Sequence, residues 1–273
     1  MTNRKKILIA GISSDIGFAL AEHWLKKGYS VFGTFRNRTA RIDTLSSSLG
    51  GLIYCDFNNN ASITDCITEL KKIAHGWDSL VICPATMLPI LPFESVDIEE
   101  WIESFSLNFL SIVQFMHGAL QFRSQVGRPA VINFAGGGSN SAPKNVSAYV
   151  SAKIALTKLT ELLAEENKMV NFTILGPGWV NTKIHTEMLG SSNVSNLQII
   201  ETKRRLSEED FVPMQRILFC CDWLLMSGQE VSGRNFSAEH DLIGSQKLTS
   251  YLNLNEDIYK LRRNGNCGLR CTK

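Results

Sequence analysis

The sequence predicts an α/β fold, with one doubly wound domain built on a central parallel sheet that carries helices on both faces. Short apolar runs of strand length alternate with segments of helical spacing, and this alternation is typical of βαβ units. The length of 273 residues suits one large α/β domain or two small ones, and 44% hydrophobic residues suffice for a sizeable core. Because ligands bind such sheets beyond the carboxyl ends of the strands, functional residues are expected directly after each strand.

The elements follow one another in a regular order along the chain. Strands are predicted at residues 6–10, 29–35, 51–57, 79–85, 129–136 and 170–178. Helices are predicted near residues 15–27, 61–74, 100–122, 147–167 and 208–227, and a short apolar run near 231–237 completes the pattern. Ser95 is the predicted cap of the third helix.

These elements predict a single domain over residues 1–250. Few strand signals occur over about 183–210, which predicts a mobile lid, and the polar residues 251–273 predict a flexible C-terminal tail. There is no internal repeat that would indicate a different architecture.

Composition excludes several classes of protein. The charge is nearly balanced, with 28 basic and 26 acidic residues, so we expect no nucleic-acid partner. We expect no secretory signal, and no apolar run reaches the ~18 residues of a membrane span. The seven cysteines include no CxxC pair, which predicts no metal site and a reduced, cytoplasmic protein. Cys55 and Cys83 lie in or beside strand-like runs and are interpreted as core thiols.

The turn after the first strand has features of a Rossmann-type phosphate site. Gly11 and Gly17 would let the backbone approach a pyrophosphate resting on the helix N-terminus, and Ser13 and Ser14 add hydroxyl donors. Two glycines alone are a weak signal, since many strand-to-helix turns contain them for steric reasons. Their position in a predicted doubly wound sheet favours a dinucleotide site.

The residues after the second strand favour NADP(H) over NAD(H). An acidic residue usually meets a free ribose 2′-hydroxyl at this place, but here Phe35 is followed by Arg36 and then Arg38. A guanidinium suits a 2′-phosphate, although a solvated basic loop is the alternative. After the third strand, Asp56 could accept a hydrogen bond from an adenine amino group.

Tyr149 and Lys153 are four residues apart on a predicted helix, so their side chains share one face. An ammonium close to a phenol favours the phenolate, and we therefore expect Lys153 to lower the pKa of Tyr149 from its usual value near ~10. The alternative is an ordinary surface tyrosine and lysine.

Together these pieces resemble the short-chain dehydrogenase/reductase family over residues 5–240. The matching motifs are AGISSDIG at residues 10–17, the YxxxK pair of Tyr149 and Lys153, Asn108 in SLNFLS, and PGWVNT at residues 177–182. The resemblance implies that Tyr149 is the general acid or base, with Lys153 as its charge partner and holder of the nicotinamide ribose. It also implies that Asn108 stabilises a water in a proton relay.

The resemblance further implies a dinucleotide site and an assembly. Thr182, and Val180 through its backbone, would contact the carboxamide of the nicotinamide. The expected cofactor-binding residues are Gly11, Ser13, Ser14, Asp15, Ile16, Gly17, Arg36, Asp56, Phe57, Ala85, Tyr149, Lys153, Pro177, Gly178, Val180 and Thr182. Family members usually form a homodimer or homotetramer, which is the expectation for this chain.

Three positions depart from the family pattern. Asp15 replaces the middle glycine of the first motif, and only Ala85 remains of the usual NNAG after the fourth strand. The place of the catalytic serine is Gly136, which has no hydroxyl. Losing one hydrogen-bond donor to the substrate oxygen can cost on the order of ~3 kcal/mol in the barrier. Ser139, or alternatively Ser141, is a candidate to replace it through the flexible glycine run.

The leading hypothesis is an NADP(H)-dependent oxidoreductase that interconverts a ketone and a secondary alcohol of a small molecule. The substrate could be a sugar or nucleotide-sugar, since the glycine-rich loop and SGRNFSAEHD resemble a branch associated with bacterial surface-polysaccharide synthesis. The alternatives are a nucleotide-binding protein with impaired catalysis and a sugar epimerase or dehydratase. The sequence gives weaker support to ligand contacts by His185, Trp179, His240, Asp241 and the basic run Lys203, Arg204 and Arg205.

Overall fold

The fold is an open, seven-stranded, fully parallel sheet with helices on both faces, in a computed structural model that describes residues 4–183, 189 and 196–262. The strand order is β3-β2-β1-β4-β5-β6-β7. The strands are β1 (Lys6–Ala10), β2 (Ser30–Phe35), β3 (Gly51–Tyr54), β4 (Ser79–Ile82), β5 (Ala130–Phe134), β6 (Asn171–Gly176) and β7 (Arg234–Ser237). The predicted fold class is confirmed.

Helices connect the strands. They are α1 (Asp15–Lys26), α2 (Ala40–Ser46), α3 (Asn60–Ile73), α4 (Ile98–Phe105), α5 (Ser111–Leu120), α6 (Ser147–Glu166), α7 (Asn196–Ser207), α8 (Met214–Met226) and α9 (Gln246–Leu254). A π-helical turn over Ser106–Leu110 joins α4 to α5, and short 3₁₀ turns cover Phe93–Ser95 and Gln229–Val231. None of the helices in the described part of the chain combines the length and the apolar character that a membrane crossing requires.

Alternation along the buried strands divides the core into two layers. In β1, Leu8 and Ala10 pack with α3, α5 and α6 on one face, while Ile7 and Ile9 pack with α1 and α8 on the other. All four side chains are fully buried. The sheet order reverses between β1 and β4, which is the switch point where the carboxyl ends of an α/β sheet leave a crevice.

Some predicted boundaries differ from the structure. Ser95 ends the 3₁₀ turn, and Asp97 caps α4 instead, because its carboxylate accepts a hydrogen bond from Glu99 N at 2.8 Å. The helix predicted from residue 208 begins at Met214. The expected lid contains α7, and part of that stretch lies outside the described residues.

The segment expected to be a tail from residue 251 is integrated into the fold as far as residue 262. Its first residues belong to α9, which runs through the expected boundary. Arg234, buried on β7, donates hydrogen bonds to the carbonyls of Leu252 and Ile258. Arg262 pairs with Glu161 on α6 at 2.7 Å. These contacts fix the segment along the outer edge of the sheet.

Candidate active site

A cavity of about 840 Å³ lies at the carboxyl edge of the sheet. Most of the expected site residues line it, from the turns after β1, β2, β3, β4, β5 and β6 and from the first turns of α6. The lining residues that the sequence singled out for the site are Gly11, Ser13, Ser14, Asp15, Ile16, Arg36, Phe57, Ala85, Ser139, Tyr149, Lys153, Pro177, Gly178, Val180 and Thr182. Gly17, Asp56 and Asn108 lie outside this lining.

The turn between β1 and α1 is closed tightly enough to require its glycines. Gly11 has φ +75°, and a β-carbon at Gly17 would lie 2.4 Å from the Gly11 carbonyl oxygen. The Ser14 hydroxyl donates to Gly11 O at 2.9 Å and accepts from Gly17 N at 3.0 Å, which caps α1. The N-terminus of α1 therefore opens into the cavity, as a dinucleotide pyrophosphate requires.

Asp15 places a carboxylate on the wall at this helix N-terminus. One oxygen accepts from Arg41 Nη1 at 2.9 Å, and the other accepts from Lys183 N at 3.0 Å. Arg41 also lies over the Phe18 ring, 4.0 Å from its centroid. The carboxylate is partly neutralised by the guanidinium, which reduces the repulsion that a bound phosphate would meet.

Arg36 and Arg38 differ in whether the guanidinium group is available to bind a phosphate. The Arg38 guanidinium is 2.6 Å from Asp43 and is engaged there. Arg36 is exposed on the cavity wall beside Asn37 and Thr39, and no carboxylate of the described residues forms an ion pair with it. Asp56 instead hydrogen-bonds locally, accepting from Asn58 N at 3.0 Å.

The side chains of Tyr149 and Lys153 both reach the cavity from α6. The Lys153 ammonium donates to Phe134 O at 3.0 Å and lies 5.8 Å from the centroid of the Tyr149 ring. Burial lowers the pKa of Lys153 to about 8, opposed in part by Cys83, and burial raises the pKa of Tyr149 to about 12. The predicted fall in the pKa of Tyr149 is therefore wrong for this structure, because burial of the phenol raises that pKa.

Gly136 lies directly against the tyrosine. A β-carbon at residue 136 would be 2.6 Å from the Tyr149 hydroxyl oxygen and 2.7 Å from Cζ of the ring. The chain therefore has no room for a serine side chain at this place while Tyr149 keeps its position. Ser139 and Ser141 are exposed on the cavity wall, after Gly138 with φ +109°.

Asn108 is buried behind the cavity, within the π-helical turn. Its amide nitrogen donates to Ser104 O at 2.8 Å and Thr86 O at 2.9 Å, and its amide oxygen accepts from Thr86 N at 3.2 Å. These bonds tie the loop after β4 to the helix, so the Asn108 side chain here positions backbone.

The structure brings together the motifs noted in the sequence. Comparison with known proteins shows to which family the chain belongs. The profile of the family described as short chain dehydrogenase matches residues 5–191. The chain belongs to the short-chain dehydrogenase family.

Three proteins that resemble this short-chain dehydrogenase are distant from it in sequence. It is 27% identical over 197 residues to an uncharacterized oxidoreductase of Schizosaccharomyces pombe, covering 70% of this chain and 77% of the relative. It is 26% identical over 193 residues to the NADPH-dependent pterin aldehyde reductase of Arabidopsis thaliana, covering 69% and 80%. The crystal structure of the Saccharomyces cerevisiae short chain dehydrogenase/reductase YIR035C superposes with a TM-score of 0.79 at 22% identity, covering 88% of this chain and 98% of the other, and confirms the fold.

Cys83 of this short-chain dehydrogenase has a position that the sequence interpretation described only in part. As predicted it packs against the core, and it also lines the cavity directly after β4. Burial raises its pKa to about 12, while Ser14 and the ammonium of Lys153 act in the opposite direction. Its position directly after a central strand was the sequence signal that could have predicted a place in the cavity. Tyr259, Glu239 and Met87 also line the cavity, and sequence reasoning singled out none of them.

The other residues that the sequence analysis named fall into two groups, those that line the cavity and those that do not. Trp179, His240 and Asp241 line the cavity, and His185 lies outside the described residues. Arg204 and Arg205 form ion pairs with Glu201 of their own helix, as in a solvated helix face. Among residues 4–183 and 196–262, no cluster of three or more His, Cys, Asp or Glu side chains is arranged to hold a metal ion.

Proposed function

We propose that this short-chain dehydrogenase is an NADP(H)-dependent oxidoreductase that interconverts a ketone and a secondary alcohol of a small molecule. The observation that carries the proposal is the shared cavity of Tyr149 and Lys153 with the glycine turn of α1. A proton donor thereby stands in the same space as a site suited to a pyrophosphate.

The residues of the cavity fit a dinucleotide. Gly11 and Ser14 shape the N-terminus of α1 for the pyrophosphate, and Arg36 is available for a 2′-phosphate. When bound, the nicotinamide would supply the hydride. The relative from Arabidopsis thaliana is named as NADPH-dependent, which supports the same preference here.

The protein's own groups would move the proton. With a pKa of about 12, the Tyr149 phenol is protonated at neutral pH and suits donation to a carbonyl oxygen. Lys153, with a pKa of about 8, carries a positive charge at neutral pH and favours the phenolate that this donation leaves. At neutral pH the phenol is therefore in the protonated form that reduction of a carbonyl requires.

A second candidate is a cofactor-binding protein without turnover. Its specific support is the close packing of Gly136 on Tyr149, which leaves no room for a serine hydroxyl there, whereas the family and the named relatives support the enzyme. The sugar substrate and the polysaccharide branch stay predictions, because the relatives reported above are oxidoreductases without that association.

We also propose a homodimer or homotetramer. Phe93, Ile98, Ile102 and Leu110 leave apolar side chains exposed on and around α4, with exposed fractions of 46% to 66%. Several exposed apolar side chains within one stretch of the chain are typical of a surface that a partner covers.

The deciding experiment is a fluorescence titration with NADPH and NADH, followed by NADPH oxidation with a panel of ketones. Tyr149→Phe is expected to abolish the oxidation and to keep NADPH binding, whereas Tyr54→Phe, at an exposed site on β3, is expected to change neither. Tight NADPH binding without turnover of any ketone would favour the second candidate. Absence of nucleotide binding would overturn both candidates.

A further inference from the structure

A second cavity of about 530 Å³ lies beside the loop after β7 and α9. Its wall is mainly apolar and includes Leu242, Leu248, Tyr251 and Leu254. Leu248 is buried, whereas Tyr251, Leu242 and Leu254 are 53%, 60% and 83% exposed. Single exposed apolar side chains are ordinary, but three around one concavity indicate a surface that a ligand or partner covers.

This side cavity adjoins the main one, since His240 and Tyr259 line both. The Tyr259 carbonyl accepts a hydrogen bond from Asn235 N at 2.8 Å, and its ring packs edge-on against Phe236 with the centroids 5.5 Å apart. Tyr259 has φ +61°, a conformation that costs a non-glycine residue on the order of 1 kcal/mol. The neighbouring contacts therefore hold its backbone in place, and Tyr259 forms part of the wall of both cavities.

The sizes of the two cavities suggest that they hold different parts of the bound molecules. A bound dinucleotide would occupy part of the main cavity of about 840 Å³, so a long substrate would gain from space outside it. The side cavity offers further space to a longer substrate, and its wall is apolar.

We propose that the side cavity binds the apolar tail of an elongated carbonyl substrate whose carbonyl group lies at Tyr149. The proposal rests on the proposed function and names its substrate class, a ketone or aldehyde with an alkyl or aryl tail. The shared wall at His240 and Tyr259 places the side cavity next to the cavity that holds Tyr149, which favours a substrate tail over a second copy of the chain.

The test is a homologous series of methyl ketones, from acetone to a chain of twelve carbons, reduced with NADPH. Because each buried methylene contributes roughly fourfold in affinity, kcat/KM is expected to rise by up to about fourfold per carbon until the tail fills the side cavity. Leu254→Glu is expected to flatten this dependence, mainly through KM. The matched control is Val126→Glu, which is equally exposed at 83% in the loop before β5 and outside both cavities.

Calorimetric titration with the corresponding alcohols separates this proposal from the proposed function. Binding that strengthens with chain length in the wild type and weakens in L254E supports the side cavity even where no ketone is reduced. Turnover with no dependence on chain length overturns the side-cavity proposal and keeps the proposed function. Loss of an oligomer in L254E, seen by sedimentation, with the chain-length dependence intact identifies an interface between copies and also overturns the proposal.

Discussion

Tyr149 packs against Gly136 so closely that a β-carbon on residue 136 would lie 2.6 Å from the tyrosine hydroxyl. Gly136→Ser is therefore expected to displace the ring instead of adding a useful donor. A shift of about 1 Å at a reacting group can cost roughly a hundredfold in rate, so we expect NADPH-dependent reduction to fall by between about tenfold and a hundredfold. The measurement is steady-state kcat/KM with one ketone.

Gly137→Ser is the matched control, because a β-carbon there meets no atom within 4 Å. It is expected to keep the wild-type rate and melting temperature. Higher activity in the G136S variant would show that the chain lacks only a hydroxyl, and that the ring adjusts at little cost.

Lys153 connects the candidate site to stability. Its pKa falls from 10.5 to about 8 on burial, so between these values the unfolded chain binds the proton and the folded protein does not. The free energy of unfolding should therefore rise with pH in this window, by at most about 1.4 kcal/mol per unit. Relative to Lys153→Met, wild-type stability is expected to increase from pH 8 to pH 10 in urea titrations.

The comparison with Lys72→Met isolates burial, because the Lys72 side chain is 62% exposed and pairs with Glu69 of its own helix turn. The rise of stability with pH is expected to persist in K72M and to be lost in K153M. A constant difference between wild type and K153M would mean that the buried ammonium keeps its ordinary pKa.

Arg36 is expected to distinguish the two dinucleotides. A charge-assisted hydrogen bond is worth about 1.5–3 kcal/mol, which is about ten- to a hundredfold in Kd. Arg36→Ala should weaken NADPH binding by this factor and change NADH binding less than about twofold. Fluorescence titration of both nucleotides gives the two constants.

Arg38→Ala serves as the control, since the Arg38 guanidinium is already held by Asp43 at 2.6 Å. It should affect both nucleotides equally and weakly. Equal losses for NADPH and NADH in R36A would place the 2′-phosphate elsewhere and remove the basis for the NADP preference.

The sequence is sufficient to predict the sheet because its strands are buried on both sides. Runs such as KILIA and AVINF pack into two layers, and this burial leaves few alternatives to a parallel α/β fold. The carboxyl-edge rule then predicts where Gly11, Arg36 and Tyr149 meet, and the structure places all three on one cavity.

What the sequence could not predict depends on contacts between distant segments. The pKa of Tyr149 depends on how deeply the ring is buried against Gly136 in the loop after β5, and a four-residue spacing carries no information about that depth. Tyr259 reaches the cavity because Arg234 and Asn235 bind the backbone of residues 252–259, a pairing across more than a dozen residues. A polar C-terminal stretch gives no local sign of either contact.

Asp15 and Arg41 offer the sharpest test of how this chain holds a dinucleotide. The Asp15 carboxylate lies at the N-terminus of α1, where a phosphate would be attracted, and Arg41 compensates its charge at 2.9 Å. Charges at a helix end contribute about 0.3–1 kcal/mol, so Asp15→Asn is expected to tighten NADPH binding by about two- to fivefold. Arg41→Ala is expected to weaken binding, because the carboxylate then faces the pyrophosphate without a counter-ion.

The double variant separates compensation from a direct contact. If Arg41 acts by neutralising Asp15, the loss caused by R41A should shrink in the D15N background, and the coupling should fade as salt screens the charges. Additive effects would instead indicate that Arg41 binds the nucleotide itself. Weaker NADPH binding in D15N alone would show that the bond from Lys183 N to the carboxylate, at 3.0 Å, matters more than its charge. Titrations of the four proteins at low and high ionic strength decide among these outcomes.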